Sequence, residues 1–380
     1  MFINFWYAAE QSENVTDQPV AVRMLGQNFV LFRDTQGRAH CLSNVCSHRG
    51  GALSDGKVQG DCVECPYHGW QYNSDGHCTR IPSLGLDGKI PKRARVDSYP
   101  TTERYGLIFA FLGDLPEAER LPIMECKEWD QEGWRPTTIV FDWDFDYKRS
   151  LENALDPSHN EFVHTTHIDK DQENPFEIPL LELIEHEWGA GFHIEMPAPP
   201  MHEEKMRETA GRNKPSDFHI YAGYHGCSSF WTFIEPTPKF IRRQHFYETP
   251  VDIGKTRIYT IDLRNAMLNP EDDERMVYMD TLVANEDARV LLGIRPVLPP
   301  PTKIKENLMP ADRHTAHYRE KLKEWEAKGW RIDQGQVDRD KYNVAYAIPS
   351  PGRRTSKNWT LDPVPLLPAS EAAALAKVVE

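Results

Sequence analysis

Cys46-Ser47-His48 and Cys65-Pro66-Tyr67-His68, with sixteen residues between the two segments, bring two soft thiolates and two imidazoles within reach of one metal centre. The first pair is C-x-H and the second C-x-x-H. Structural zinc sites favour C-x₂₋₄-C and H-x₃₋₅-H spacing, so these pairs match zinc poorly. They match a [2Fe–2S] cluster held by two Cys on one iron and two His on the other. Neutral imidazoles in place of two thiolates raise its reduction potential. The chemistry expected is the movement of single electrons.

A second constellation follows at Asn153-Ala154-Leu155-Asp156-Pro157-Ser158-His159-Asn160-Glu161-Phe162-Val163-His164. Two imidazoles and one carboxylate on one face of an Fe(II) ion leave positions open for O₂ and a reacting molecule. His159 and His164 are the imidazole candidates. They are five residues apart, about 140° round an ideal helix at ~100° per residue. For both to reach one ion the helix must break, bulge or end between them, and Pro157 is one cause of such a break. The carboxylate must come from elsewhere. The long helical stretch Asp272–Leu292 has an apolar face of Met276, Met279, Val283 and Val290, with Asp287 close to it. Asp280 and Glu286 lie only slightly further off, and periodicity does not decide among the three.

The elements that must position these groups divide at a charged stretch between Leu115-Pro116 and Leu121-Pro122, giving expected domains 1–118 and 119–380. The first domain reads as short strands, among them Val20–Leu25, Asn28–Arg33, Ala39–Leu42 and Tyr105–Leu112, with the ligand pairs on loops at their ends. The second reads as a strand at Thr138–Phe145, then helical or broken-helical from Lys148 to about His167. Strands follow over Leu180–Trp188, Phe218–Tyr224, Ser228–Glu235, Phe240–Tyr247 and Arg257–Leu263, then helices at Asp272–Leu292 and His314–Lys328. The fold class expected is α+β: a small β domain, then an antiparallel sheet gripping a long helix. Met196–Pro215 and Pro296–Pro310 read as long loops that cover a site or run over the surface.

The chain has 380 residues, enough for a sizeable core in each of two domains. Its net charge of −14 argues against nucleic acid and anionic membrane surfaces as partners. The apolar run Leu107–Leu112 is far shorter than the ~20 residues of a membrane span, and Met1–Glu10 does not read as a signal peptide. Of seven Cys, five lie outside the ligand pairs with no regular spacing, which points to a reducing, cytoplasmic setting. No G-x-G-x-x-G follows a strand, so the sequence shows no nucleotide site for taking electrons from NAD(P)H itself.

Taken together, Cys46-x-His48-Arg49-Gly50, Cys65-Pro66-Tyr67-His68-Gly69-Trp70 and Asn153-x-x-Asp156-x-x-His159-x₄-His164 resemble the Rieske non-haem iron oxygenases, specifically their catalytic α subunit. Asn285-Glu286-Asp287 is similar to the late acidic segment of that family. The resemblance implies that Cys46, His48, Cys65 and His68 hold the Rieske cluster, and that His159, His164 and Asp287 hold a mononuclear Fe(II). It implies that Asp156 is a bridging aspartate, linking a cluster His of a neighbouring subunit to a His on the iron, and that Asn153 lies near the iron. It further implies a homotrimer with electron transfer between subunits, served by a separate reductase and possibly a ferredoxin.

Length and motif layout look more like the homotrimeric α-only branch, which includes dicamba and vanillate O-demethylases. The expected reaction is hydroxylation or oxidative N- or O-dealkylation of an aromatic or alicyclic compound with O₂. Ring cis-dihydroxylation is the alternative. Two readings from other classes are an electron carrier without a mononuclear iron and, more distantly, a zinc-binding interaction protein. Tyr221, Tyr224, Phe230, Trp231 and Phe233 are candidates to line a substrate cavity or are ordinary core aromatics. His225, His245 and Asn265 are candidates to orient a polar substrate group, with structural roles the simpler reading.

Overall fold

The computed structural model describes residues 1–164, 176–197, 217–237, 239–300 and 305–370. The chain forms two compact units, Met1–Ile123 with Lys323–Glu380, and Met124–Leu322. Among the described residues no helix is long and apolar enough to cross a membrane.

The first unit is built from short antiparallel strands, as the alternation of its sequence requires. One sheet orders Phe5–Gln11, Leu107–Leu112 and Thr101–Arg104. A second orders Val20–Met24, Gln27–Arg33, Ala39–Ser43 and Ser98–Tyr99. A third orders Lys57–Gln59, Cys62–Glu64, Gln71–Asn73 and Cys78–Arg80. Cys46 and Cys65 are part of a buried core with Val30, Phe32, Leu42, Val63 and Tyr72, so the two ligand loops are anchored by packing.

The sequence placed all of 119–380 in one domain, but the last stretch of chain packs in the first unit. Arg353 forms a bidentate pair with buried Asp97 at 2.7 Å, Ser350 Oγ donates to the same carboxylate, and Tyr99 donates to the Ile348 carbonyl. The Trp325 ring meets Phe5 edge-on at 5.0 Å. These contacts link residues more than two hundred positions apart, a distance over which local patterning carries no information.

The second unit is a seven-stranded antiparallel sheet. Its strands are β1 (Arg135–Trp143), β2 (Ile184–His186), β3 (Gly189–Pro197), β4 (Asp217–His225), β5 (Ser229–Thr237), β6 (Phe240–Asp252) and β7 (Lys255–Arg264), in the order β1-β7-β6-β5-β4-β3-β2. Between β1 and β2 lie α1 (Tyr147–Ala154), a 3₁₀ turn (Pro157–His159) and α2 (Asn160–Val163). The long helix α3 (Asp273–Leu291) follows β7, and Ala288 and Leu291 pack with Phe145 and Ile258 against Phe141, Trp143 and Phe246. The sheet around a helix is the expected arrangement. Helix α4 (Arg313–Ala327) matches the expected His314–Lys328 closely. Most of Met196–Pro215 and part of Pro296–Pro310 lie outside the described residues.

Candidate metal centres and cavity

The two loops of the first unit share one construction. Cys46 N donates to Gly51 O and Gly50 N to Cys46 O; Cys65 N donates to Trp70 O and Gly69 N to Cys65 O. Gly50 (φ +74°) and Gly69 (φ +70°) take the left-handed turn that side chains disfavour. A Cβ on Gly51 would sit 3.1 Å from Cys65 Sγ, so the bare glycine leaves room against that sulfur. Both thiols are buried while both His are exposed, and the two His Nδ1 atoms face each other at 3.1 Å. The His48 ring lies flat on Trp70 at 4.5 Å and 3°. Sulfurs inside and imidazoles at the surface suit a cluster whose outer iron is within reach of a donor or acceptor.

Tyr72, outside the motif, adds a tuning group: its hydroxyl lies 3.1 Å from Cys46 Sγ and 3.0 Å from Ser47 Oγ. Burial pushes its pKa well above the ordinary tyrosine value, keeping the O–H a donor. The signal available in sequence was a polar tyrosine on the strand leaving the second ligand loop.

In the second unit the expected break in the helix is present. Asp146 caps α1 by accepting from Lys148 N. Asp156 is extended (φ −110°, ψ 103°), as a residue before proline prefers, and its carboxylate caps the next turn by accepting from Ser158 N at 2.8 Å. This swings His159 and His164 onto one centre, with ring centroids 5.2 Å apart. His159 Nε2 and His164 Nε2 each lie 3.5 Å from Asp287 Oδ1. The Nδ1 atoms are taken up elsewhere: that of His159 donates to the Asp156 carbonyl at 2.5 Å, and that of His164 lies 3.2 Å from Glu286 Oε2. Both rings therefore present Nε2 to the shared centre, the arrangement in which a second partner fixes tautomer and orientation. Burial lowers the His159 pKa against the opposing pull of the Asp287 charge, and the net lowering favours the neutral ring a metal needs. These three residues could hold one divalent ion with positions left open.

Geometry separates the three carboxylates that periodicity did not. Asp287 faces both imidazoles, and Asn153 Nδ2 donates to its Oδ1 at 3.0 Å. Glu286 meets the far nitrogen of His164. Asp280 is paired with Arg242 at 2.5 Å. The buried stripe of α3 is Met276, Asp280, Ala288 and Leu291, while Val290, expected on the inner face, is 40% exposed. Of the expected apolar face, Met276 is buried and Val283 lines the cavity, while Val290 turns outward because the carboxylates Asp280 and Asp287 share the inner face. For Asp156 the link to His159 runs through the main-chain carbonyl, whereas its carboxylate turns to Ser158.

A cavity of about 200 Å³ opens on this centre. Its wall takes every second residue of the sheet: Phe141 and Trp143 from β1, Phe192 and Ile194 from β3, Ile220 and Ala222 from β4, Phe230 and Thr232 from β5, Gln244 and Phe246 from β6, and Ile258 and Thr260 from β7. Phe230 stacks on Phe246 at 4.2 Å. Of the five aromatic candidates only Phe230 lines the cavity. Tyr221, Trp231 and Phe233 alternate to the other face, where the Trp231 indole lies so close over Gly191 and Gly223 that a Cβ there would clash. Tyr224 is buried against Tyr318. His245 and Asn265 are structural: His245 is buried on the non-cavity parity of β6, and the Asn265 amide oxygen accepts from Ile241 N. His225 ends β4 and does not line the cavity. The cation in the wall, Arg242, donates to both Asp262 at 2.7 Å and Asp280, so its charge is already matched.

Residues 5–100 match the Rieske [2Fe-2S] domain, and residues 143–328 match the vanillate O-demethylase oxygenase C-terminal domain. The toluene-4-sulfonate monooxygenase system iron-sulfur subunit TsaM1 of Comamonas testosteroni is 35% identical over 173 residues, 45% of this chain and 49% of that protein. The phenoxybenzoate dioxygenase subunit alpha of Ectopseudomonas oleovorans is 36% identical over 174 residues, 43% of this chain and 42% of that protein. These matches span about half the length of those relatives or less. Among solved structures, Pseudomonas putida CBB5 NdmA with caffeine aligns with a TM-score of 0.73 at 24% identity, over 86% of this chain and 91% of that one. Apo dicamba monooxygenase aligns with a TM-score of 0.68 at 22% identity, over 88% and 98%. With both domain models matched in order and the fold shared along most of its length, the chain belongs to the Rieske non-haem iron oxygenases, built as their catalytic α subunit is.

Proposed function

We propose that this chain is the oxygenase component of a multicomponent Rieske system that hydroxylates, or oxidatively dealkylates at N or O, a neutral aromatic or alicyclic compound. The observation that carries the reading is the His159, His164 and Asp287 set, with His164 buried and the other two half-buried, on the wall of a cavity lined by aromatic rings. In this reading Cys46, Cys65, His48 and His68 hold the cluster, and His159, His164 and Asp287 hold the mononuclear iron. When bound, the cluster supplies single electrons and the iron supplies O₂ chemistry. The chain's own part is positioning. Asn153 and Glu286 fix the ligands, Phe230, Phe246, Phe192 and Trp143 hold a flat apolar molecule, and Gln244 and Thr232 offer it polar contacts.

Neutral substrates are favoured because Arg242, the cation in the described cavity wall, is spoken for by two carboxylates and so offers no free charge to a carboxylate ligand. Dealkylation is the leaning because the catalytic half matches the vanillate O-demethylase C-terminal domain. A separate reductase, alone or with a ferredoxin, would meet the exposed edge of His48 and His68, and free thiols suit a cytoplasmic setting. The proposed assembly is a homotrimer in which Asp156 carries electrons between subunits.

The test is a single-turnover assay. Chemically reduced protein is given O₂ and a panel of methoxy, N-alkyl and unsubstituted ring compounds, each in neutral and carboxylated form. The expected result is released aldehyde or a product heavier by one oxygen, with neutral compounds preferred. A product gaining two oxygens and two hydrogens would establish cis-dihydroxylation instead, and no product from any of them would overturn the oxygenase reading.

A further inference from the structure

Strands β3 and β4 carry a second set of two imidazoles and a carboxylate on the face turned away from the cavity. Ile194 and Ile220 line the cavity, so their alternating neighbours His193, Glu195 and His219 point the other way. The register pairs Glu195 with His219 and His193 with Tyr221, which makes the two His diagonal neighbours on that face. His193 Nε2 lies 3.0 Å from His219 Nδ1, and His219 Nδ1 lies 3.4 Å from Glu195 Oε1. All three donor atoms fall within 4.8 Å of one another.

Ligand atoms around a tetrahedral zinc at its usual bond lengths are roughly 3.3–3.4 Å apart. Two edges of the outer set, 3.0 and 3.4 Å, are close to this and no longer than the 3.5 Å edges of the His159, His164 and Asp287 set. The rings are held in place by stacking, His193 on Tyr221 at 4.3 Å and on His219 at 5.2 Å. We propose that His193, Glu195 and His219 form a second divalent-cation site, which takes a zinc-class ion with water completing the coordination.

The environment separates this site from the cavity centre. Glu195 is 58% exposed and His219 41% exposed, and none of the three residues lines the cavity. The exposure places such an ion at the protein surface, away from the substrate cavity. Two imidazoles and one carboxylate in a four-coordinate setting suit zinc. The ion would staple β3 to β4 at the end where residues 198–216 connect them, directly behind Ile194 and Ile220 of the cavity wall. The site rests on this geometry alone and does not depend on the proposed reaction.

The test uses the intact protein with cluster and mononuclear iron in place. It is equilibrated with zinc chloride and desalted, and zinc and iron per chain are measured by mass spectrometry. The expected result is one zinc retained per chain with iron unchanged. That zinc should be lost in the double variant His193→Gln/His219→Gln and in Glu195→Gln, with the visible cluster spectrum intact. Zinc should also raise the thermal midpoint of the wild type and not that of the variants. No zinc retained by the wild type would show a direct imidazole–imidazole hydrogen bond only and overturn the site. Zinc retained equally by the variants, or gained at the cost of iron, would overturn it as well.

Discussion

The side-chain amide of Asn153, in the last turn of α1, donates to Oδ1 of Asp287 on α3 across 3.0 Å, joining residues 134 positions apart. One short helix thus sets the carboxylate against imidazoles supplied by the next turn. Outer partners of a metal ligand typically matter 10- to 100-fold in affinity. Asn153→Ala should therefore weaken retention of the mononuclear iron by roughly that factor while the cluster spectrum stays unaltered. Chelator competition followed by iron analysis measures it, and an unchanged affinity would remove Asn153 from the centre.

Tyr72 offers a test confined to the first unit. A hydrogen bond to a thiolate stabilises the more electron-rich, reduced cluster. A charge-assisted bond contributes about 1.5–3 kcal/mol at most, and for a one-electron couple ~59 mV corresponds to a tenfold change in the equilibrium constant. Tyr72→Phe should lower the cluster potential by several tens of millivolts, read by redox titration of the visible spectrum. Ser47→Ala should produce a smaller shift, since it reaches the sulfur only through Tyr72.

How much of this was legible in the sequence depended on how local each feature is. The cluster loops could be read because each Cys–His pair closes within one turn, and the break between His159 and His164 followed from their spacing and Pro157. Asp287 could not be separated from Asp280 and Glu286 without the tertiary register, because burial on α3 is shared between apolar and ionic residues. The cavity wall was misread because both faces of the sheet are aromatic: Trp231 and Phe233 lie on one, Phe230 and Phe246 on the other. Parity alone tells them apart, and it needs a known strand register. Phe141, Trp143, Arg242 and Gln244 were missed for the same reason, and Phe192 because Gly189–Pro197 was not expected to be a strand.

Asp156 separates two roles that are usually entangled. Its main-chain carbonyl holds His159, so changing the side chain leaves that contact in place. Asn is also a good cap and preserves the bond from Ser158 N. Asp156→Asn should bind both metals normally yet slow reoxidation of the cluster during turnover, followed by stopped-flow absorbance. Normal transfer would exclude the carboxylate as the bridge between subunits.

Buried His245 predicts a pH effect on stability. Burial lowers its pKa from 6.5 to about 4, so the folded protein keeps it neutral where the unfolded chain takes up a proton. Its contribution is fully present above pH 6.5 and is lost as pH falls from there toward 4, because the unfolded state then binds more protons. At about 1.4 kcal/mol per pH unit the loss reaches about 3 kcal/mol. Chemical denaturation across this window should show the wild type losing stability relative to His245→Leu as pH falls. A difference independent of pH would contradict the buried neutral ring.

The central claim is that His159, His164 and Asp287 form an iron centre separate from the cluster and needed for chemistry. The most direct test counts iron and product together in His159→Ala. The account predicts a fall from about three irons per chain to about two, an unchanged cluster spectrum, and loss of product in a single turnover. Retention of the third iron with product still formed would contradict it.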